Sequence, residues 1–210
     1  MDTEYDEFYR NLINIWKSGG VNGGEGGWAA YYYSVFSDII NENNFKNCAE
    51  IGTGYGFHAK QILETCDISM LYLIDPMVYY PNDAFARDVM EYGGFEKLVS
   101  NIKKHLYPHK NNYTWFRQAS LSITEQQIPD NYLDAVFLDG DHSYEAVIKD
   151  LQFWWKKLRL GGWLLGDDYE SCHPGTTKAV NEFAANNNLQ IEFLYKKNGA
   201  IKYPIYKFVK

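Results

Sequence analysis

The sequence has few cysteines and no long apolar run, and these two absences narrow the class of protein. It contains Cys48, Cys66 and Cys172, and no two of them form a Cys-x-x-Cys pair. An odd number of cysteines at unrelated spacings argues against a disulfide framework and favours a reducing compartment. No apolar stretch approaches the roughly 20 residues needed to cross a bilayer, and the acidic start lacks the apolar segment of a secretory signal. We therefore expect a soluble, cytoplasmic protein without a membrane partner.

The sequence also lacks an excess of basic residues. Its 20 Lys and Arg stand against 27 Asp and Glu, which gives a formal net charge of -7. Because nucleic-acid surfaces require clustered Lys and Arg, we do not expect a nucleic-acid partner. Hydrophobic residues make up 46% of the 210 positions, which is enough for the core of one domain. A homodimer stays an open alternative.

From residue 48 onward, short apolar runs alternate with helical patterns. The predicted strands cover residues 48–51, 70–74, 113–118, 133–138, 163–165, 191–195 and 205–209, with an irregular segment after residue 76. The predicted helices cover residues 57–64, 95–106, 144–158 (closed by Gly161 and Gly162) and 177–187. This alternation predicts a Rossmann-like α/β fold with a seven-stranded, mostly parallel sheet, helices on both faces and a C-terminal antiparallel hairpin that turns at Asn198-Gly199.

Two predicted helices and a glycine-rich loop precede this alternation. Apolar residues between Tyr5 and Trp16 recur at helical spacing, and a second helix is predicted over residues 28–40. Residues 19–27 hold six glycines and form either a mobile lid or a plain connector. We assign residues 1–42 to a cap or lid over the substrate and residues 43–210 to the cofactor-binding domain.

Three glycines lie between the first predicted strand and the following helix, at positions 52, 54 and 56. Glycines at this spacing favour a tight turn whose backbone approaches a ligand closely, although a ligand-free connection would look similar. A dinucleotide fingerprint would have another glycine at position 57, where this chain has Phe57. NAD is therefore less favoured than another nucleotide-like ligand.

Asp75 ends the second predicted strand, and a carboxylate there can accept hydrogen bonds from both ribose hydroxyls of an adenosine ligand. The alternative is an aspartate that starts a turn before Pro76. Together with the glycine loop, Asp75 favours the ribose role.

The motif Ala-Glu-Ile-Gly-Thr-Gly-Tyr-Gly at residues 49–56 resembles motif I of class I S-adenosylmethionine-dependent methyltransferases. Leu-Ile-Asp-Pro at residues 73–76 resembles their ribose-binding motif. Residues 138–147, together with Gly161-Gly162 and residues 166–169, are similar to macrocin-type sugar O-methyltransferases and more distantly to the catechol type. The resemblance covers about residues 28–210. It implies S-adenosyl-L-methionine as cofactor, with binding residues Glu50, Gly52, Thr53, Gly54, Tyr55, Gly56, Asp75, Ser120 and Asp139, and Ser120 matches the position that contacts adenine in many O-methyltransferases.

Four aspartates follow the fourth and fifth predicted strands: Asp139, Asp141, Asp167 and Asp168. If these strands are neighbours, the carboxylates converge, and they repel one another unless they are protonated, spread apart or neutralised by a cation. Capping of the following segments is the alternative. A hard divalent ion, Mg²⁺ most simply, fits oxygen ligands. The resemblance implies Asp139, Asp167 and Asp168 as its ligands.

The resemblance implies metal-dependent O-methylation of a hydroxyl on a sugar, a glycan or a similar vicinal diol. Asp141 and His142 are both candidate bases, and His142 is slightly favoured because its unperturbed pKa is about 6.5. His58 and His173 are weaker candidates for the site. Two alternatives stay open: a metal-independent small-molecule N- or O-methyltransferase, and a non-catalytic or NAD-binding Rossmann protein.

Overall fold

A computed structural model describes residues 5–17, 35–81, 84–169, 173–194 and 205–210. The strands are β1 (Asn47–Ile51), β2 (Met70–Ile74), β3 (Tyr113–Phe116), β4 (Leu133–Leu138), β5 (Leu158–Gly166), β6 (Glu192–Leu194) and β7 (Ile205–Val209). The α-helices are α1 (Glu7–Lys17), α2 (Val35–Glu42), α3 (Phe57–Thr65), α4 (Ala84–Glu91), α5 (Phe95–Leu106), α6 (Tyr144–Lys157) and α7 (Pro174–Asn187). Short 3-10 turns cover Tyr107–His109 and Ser120–Ser122.

The strands form one seven-stranded sheet in the order β3-β2-β1-β4-β5-β7-β6. β1 to β5 pair in parallel, whereas β7 pairs antiparallel with both β5 and β6. The sheet therefore confirms the predicted fold, including the C-terminal antiparallel pair. Strand order reverses between β1 and β4, and ligands of parallel sheets bind at the carboxyl ends of strands near such a reversal.

The two faces of the sheet bury two separate cores, because side chains alternate between faces along each strand. In β4, Ala135 and Phe137 join the first core, and Val136 and Leu138 join the second. Helices α1, α2, α3 and α5 pack their buried side chains into the first core, and α6 and α7 pack theirs into the second. Cys48 is fully buried in the first core, as expected for a small apolar residue.

Most predicted elements agree with the structure to within one or two residues. One clear error is the segment after β2, which we predicted to be irregular and which contains the helix α4. Ala86 and Val89 lie three positions apart on this helix and are both buried. This spacing is a helical signal, although two buried positions make only a short one.

A second error concerns Gly161 and Gly162, which we predicted to close α6. The helix ends earlier, at Lys157, and both glycines lie inside β5. Gly161 has a φ of +76°, and a Cβ on Gly162 would lie 2.9 Å from the Arg159 carbonyl oxygen. The glycines therefore allow an irregular stretch in β5, opposite a register shift between β4 and β5. The third strand also ends two residues early, at Phe116.

The N-terminal helices pack into the first core through Tyr9, Leu12, Phe36 and Ile40, all nearly fully buried. The glycine-rich loop, residues 28–34 of the predicted second helix and the turn at Asn198-Gly199 lie outside the described residues. The division at residue 42 and the lid role therefore stay predictions. Within the described part of the chain, no helix is long and apolar enough to span a membrane.

Candidate active site

The glycine loop joins β1 to α3 at the point where strand order reverses. All three of its glycines have positive φ, +89° at Gly52, +51° at Gly54 and +80° at Gly56. A Cβ on Gly52 would lie only 1.9 Å from the carbonyl oxygen of Asp139. Glycine is thus required at position 52 both by backbone conformation and by contact with the end of β4.

Asp75 lies beside this loop and fixes its shape. One carboxylate oxygen accepts hydrogen bonds from the backbone N–H groups of Thr53 at 2.9 Å and Gly54 at 3.3 Å. The other oxygen accepts from the N–H of Met77 at 2.8 Å. Asp75 is therefore placed at the loop as the sequence suggested, and its contact with a ribose stays a prediction.

Glu50 is almost fully buried at the end of β1 and pairs with His58 on α3. The His58 Nδ1 lies 2.6 Å from Glu50 Oε1, while Oε2 is buried without a hydrogen-bond partner. Burial raises the pKa of Glu50, and the charge of His58 and its hydrogen bond partly offset this increase. The pair ties α3 to β1 and holds a carboxylate oxygen under the glycine loop.

Thr53 and Tyr55 have buried side chains, with 3% and 8% of their surfaces exposed. The Tyr9 hydroxyl on α1 donates to the Tyr55 carbonyl oxygen at 2.8 Å, so the N-terminal helix supports the loop from behind. A cofactor would meet these two residues mainly through their backbone.

Ser120, the predicted adenine contact, lies in a hydrogen-bonded chain that the sequence did not reveal. Its hydroxyl donates to Asp150 Oδ1 at 2.5 Å and accepts from Trp154 Nε1 at 2.7 Å. Burial raises the pKa of Asp150 to about 6, although the Ser120 hydrogen bond opposes the increase. α6 thus fixes the position of Ser120, and its adenine contact stays a prediction.

Replacing Asp150 with asparagine is expected to stabilise the protein at pH 7.5. The folded pKa of about 6 lies above the ordinary value of 3.8, so above pH 6 the charged carboxylate costs folding free energy. We expect a gain on the order of 1–2 kcal/mol in the free energy of unfolding. The gain should shrink as pH falls below 6, because the folded-state carboxyl then becomes protonated, and it should vanish only below the ordinary pKa of 3.8. Urea unfolding at pH 7.5 and 4.5 measures this, and an equal loss of stability at both values would contradict it.

The acidic residues converge as predicted because β4 and β5 are neighbours, with Leu138 paired to Gly166. Asp139, Asp141, Asp167 and Asp168 line one pocket at the carboxyl ends of these strands. Burial, together with the charges of Asp167 and Asp168, raises the pKa of Asp139 well above its ordinary value. The pocket therefore carries the repulsion that a cation would relieve.

Tyr206 enters the same pocket from β7 and was missed from the sequence. It is 1% exposed, and its ring lies against Gly166, where a Cβ would lie 2.1 Å from the tyrosine oxygen. Burial and the nearby carboxylates raise the pKa of Tyr206 well above its ordinary value. The phenol is therefore neutral, and no local sequence motif marks it because β7 reaches the site by sheet pairing.

His142 and His173 both lie against Asp168. His142 Nε2 is 2.8 Å from Asp168 Oδ2, and His173 Nε2 is 3.5 Å from Asp168 Oδ1. Burial alone would lower the pKa of His142, but the hydrogen bond to Asp168 and the surrounding carboxylates raise it to about 9. With a pKa of about 9, His142 would be protonated at neutral pH, and it could accept a proton only where another cation offsets those carboxylates.

Asp141, the other candidate base, is exposed and accepts a hydrogen bond from the N–H of Ser143 at 2.7 Å. Ser143 in turn caps α6, since its hydroxyl accepts from the N–H of Ala146. Asp141 is therefore held at the pocket by a turn and is available to take a proton. The choice between Asp141 and His142 stays open.

An aromatic loop borders both halves of the site. Met77 is buried with a φ of +51°, and this turn projects Tyr79 and Tyr80, each 51% exposed. Burial and the charges of Asp75 and Asp141 raise the pKa of Tyr80. Tyr80 therefore lies within electrostatic range of the glycine-loop side and of the acidic pocket.

The fold is of the doubly wound α/β class, and the glycine loop and the acidic pocket lie at the switch in strand order, where proteins of this class bind ligands. Residues 49–169 match the model of a family described as a methyltransferase domain. Because the match spans more than half of the chain, the chain belongs to this family. The predicted S-adenosylmethionine-dependent methyltransferase is confirmed at this level, and the finer resemblance to macrocin-type enzymes stays a prediction.

Other relatives agree with this fold. The chain is 26% identical over 160 residues to uncharacterized protein R132 of Acanthamoeba polyphaga mimivirus, covering 74% of this chain and 67% of the relative. The O-methyltransferase of Bacillus cereus, solved with SAH, superposes with a TM-score of 0.62 at 14% identity, covering 99% of this chain and 92% of that one. The N-methyltransferase NodS of Bradyrhizobium japonicum, also solved with SAH, gives a TM-score of 0.59 at 11% identity, with coverages of 95% and 98%. These likenesses show the shared fold.

Proposed function

We propose that the enzyme transfers the methyl group of S-adenosyl-L-methionine to a hydroxyl of a sugar, a glycan or a similar vicinal diol, with the help of a divalent metal ion. The observation that carries the proposal is the contact between the two halves of the site. The Asp139 backbone N–H donates to the Ile51 carbonyl oxygen at 2.8 Å, and Asp139 packs directly on Gly52. The cofactor loop and the acidic pocket therefore adjoin at one residue.

On the donor side, the glycine-loop backbone, Asp75 and Ser120 would hold the cofactor. The solved methyltransferases that contain SAH support this cofactor. The buried Oε2 of Glu50 lies next to the loop and is suited to orient a positively charged ligand group. These groups bind and position, which is the main task in a displacement reaction.

On the acceptor side, Asp139, Asp167 and Asp168 would hold a divalent ion, Mg²⁺ most simply, because their oxygen donors suit a hard cation. Such an ion would act as a Lewis acid and would lower the pKa of an acceptor hydroxyl bound to it. Asp141 or His142 would then take the hydroxyl proton. The exposed rings of Tyr79 and Tyr80 are suited to pack on the apolar face of a sugar or on a planar acceptor.

A metal-independent N- or O-methyltransferase is a second candidate. The observation that favours it is the His142–Asp168 ion pair, which neutralises part of the acidic cluster without a metal. Among the structural relatives, NodS of Bradyrhizobium japonicum is an N-methyltransferase and the enzyme of Bacillus cereus is an O-methyltransferase. The same fold is therefore used for methyl transfer to nitrogen and to oxygen.

The test combines binding and turnover. Calorimetric titration should show binding of S-adenosyl-L-methionine and none of NAD. Labelled cofactor should then methylate one class in a panel of sugars, nucleotide sugars, glycans and catechols, and a chelator should abolish that turnover until Mg²⁺ is restored. Turnover that survives thorough metal removal would select the metal-independent candidate, and binding of NAD alone would overturn the proposal.

A further inference from the structure

We propose that His142, Asp168 and His173 form a binding site for a divalent transition-metal ion of the Zn²⁺ type. Among the described residues, these three meet a simple test for a metal site: each offers one ligand atom, and the three ligand atoms all lie within 4.8 Å of one another. His142 and Asp168 also line the acidic pocket, so this inference rests on the proposed function and gives its metal ion a histidine-containing ligand set around Asp168 in place of the three carboxylates. Metal binding itself is measurable without cofactor or acceptor.

The distances within the group suit tetrahedral ligation. Zn²⁺ binds imidazole nitrogen and carboxylate oxygen at about 2.0–2.2 Å, so tetrahedral ligand atoms lie about 3.3 Å apart. His142 Nε2 lies 2.8 Å from Asp168 Oδ2 and His173 Nε2 lies 3.5 Å from Asp168 Oδ1, so each imidazole is within about half an ångström of that separation from one oxygen of the shared carboxylate. The three ligand atoms thus lie within 4.8 Å of one another before any ion is bound.

Packing of the backbone fixes this arrangement. A Cβ on Gly175, at the start of α7, would lie 2.6 Å from the His142 carbonyl oxygen. The Thr176 hydroxyl donates to the same oxygen at 3.4 Å. The start of α7 is thereby pressed onto the loop between β4 and α6, and the two imidazoles meet with ring centroids 4.5 Å apart. The glycine at position 175 permits this approach.

Ligand chemistry separates this site from an all-carboxylate magnesium site. Imidazole nitrogen favours zinc and other transition metals, whereas Mg²⁺ prefers oxygen donors. Between 21% and 42% of each of the three side chains is exposed, so an ion can enter from solvent. Asp139 and Asp167 line the same pocket as His142 and Asp168 and add negative charge there. If His142 serves as a ligand, the proton-accepting role falls to Asp141.

Competition between the full-length protein and a chromophoric chelator for Zn²⁺, without cofactor, tests the site. We expect one equivalent of Zn²⁺ to bind, and we expect His173→Gln and His142→Gln each to weaken binding by roughly 100-fold or more, beyond the 10- to 100-fold typical of outer-shell changes. His109→Gln removes a distant imidazole, and Cys66→Ser removes a partly exposed thiol. Both controls should bind zinc like the wild type.

Three results would overturn the proposal: no stoichiometric zinc binding, unchanged affinity in His173→Gln, or a larger loss in Asp167→Asn than in His173→Gln. The last would assign the ion to the carboxylates alone. Titration of S-adenosyl-L-methionine into metal-free wild-type and His173→Gln proteins separates this question from the enzyme's function. Cofactor binding with no zinc site rejects only the metal assignment, and zinc binding with no cofactor affinity rejects only the methyltransferase site.

Discussion

A Gly52→Ala protein is expected to lose several kcal/mol of stability and to bind S-adenosyl-L-methionine poorly or not at all. The new methyl group would lie 1.9 Å from the Asp139 carbonyl oxygen, which is backbone and cannot rotate away. The positive φ of +89° adds the strain that any side chain meets in this region. Because β1 and β4 must separate to relieve the overlap, the cost should reach the upper range for single substitutions, about 3–5 kcal/mol. Urea unfolding and calorimetric titration measure the two effects.

Gly94→Ala is the matched control for this change. Gly94 has a similar φ of +86°, but its nearest neighbour to a new Cβ is the Met90 sulfur at 4.0 Å. It should therefore report backbone strain alone, about 1–2 kcal/mol, with cofactor affinity intact. Equal losses in the two variants would show that the contact between Gly52 and Asp139 contributes nothing beyond φ.

The parts of the site that could be predicted lie at the ends of strands. Gly52, Asp75 and Asp139 each follow a short apolar run, and parallel pairing brings the ends of such runs to one edge of the sheet. The local sequence pattern therefore predicted both the strands and the edge of the sheet at which their ends come together. The predicted pairing of β4 with β5 was the one tertiary assumption needed for the acidic pocket.

The residues that escaped prediction reach the site through packing at a distance. Asp150 lies in the middle of α6, where an acidic residue ordinarily faces solvent, and only the fold turns it toward Ser120. Tyr206 arrives on β7, which inserts between β5 and β6. His173 was only a weaker candidate in the sequence, and the close approach of Gly175 to the loop before α6 accompanies its contact with Asp168. No spacing of residues in the sequence predicts these side-chain contacts.

The carboxylates in the acidic pocket are expected to oppose folding while they serve the reaction. Asp139 has a raised pKa because it is desolvated and lies near Asp167 and Asp168. A group whose folded pKa is raised destabilises the protein at pH values above that pKa and has no effect well below the unfolded pKa. Asp134, at the other end of β4, is the opposite case. Despite its partial burial, hydrogen bonds from the backbone and from Arg159 lower its pKa.

Asp139→Asn should therefore raise the free energy of unfolding at pH 8 in the presence of a chelator, and the gain should become much smaller toward pH 4. The same variant should lose methyl transfer by about 100-fold or more, because the carboxylate proposed to hold the metal and face the acceptor is gone. Asp134→Asn should do the reverse and lower stability at pH 8 while leaving turnover within a few-fold of wild type. Unfolding curves at both pH values and labelled-cofactor turnover on the acceptor found in the panel measure these effects. A stable Asp139→Asn enzyme with full turnover would remove Asp139 from the reaction, and a destabilised one would refute the repulsion on which the metal proposal depends.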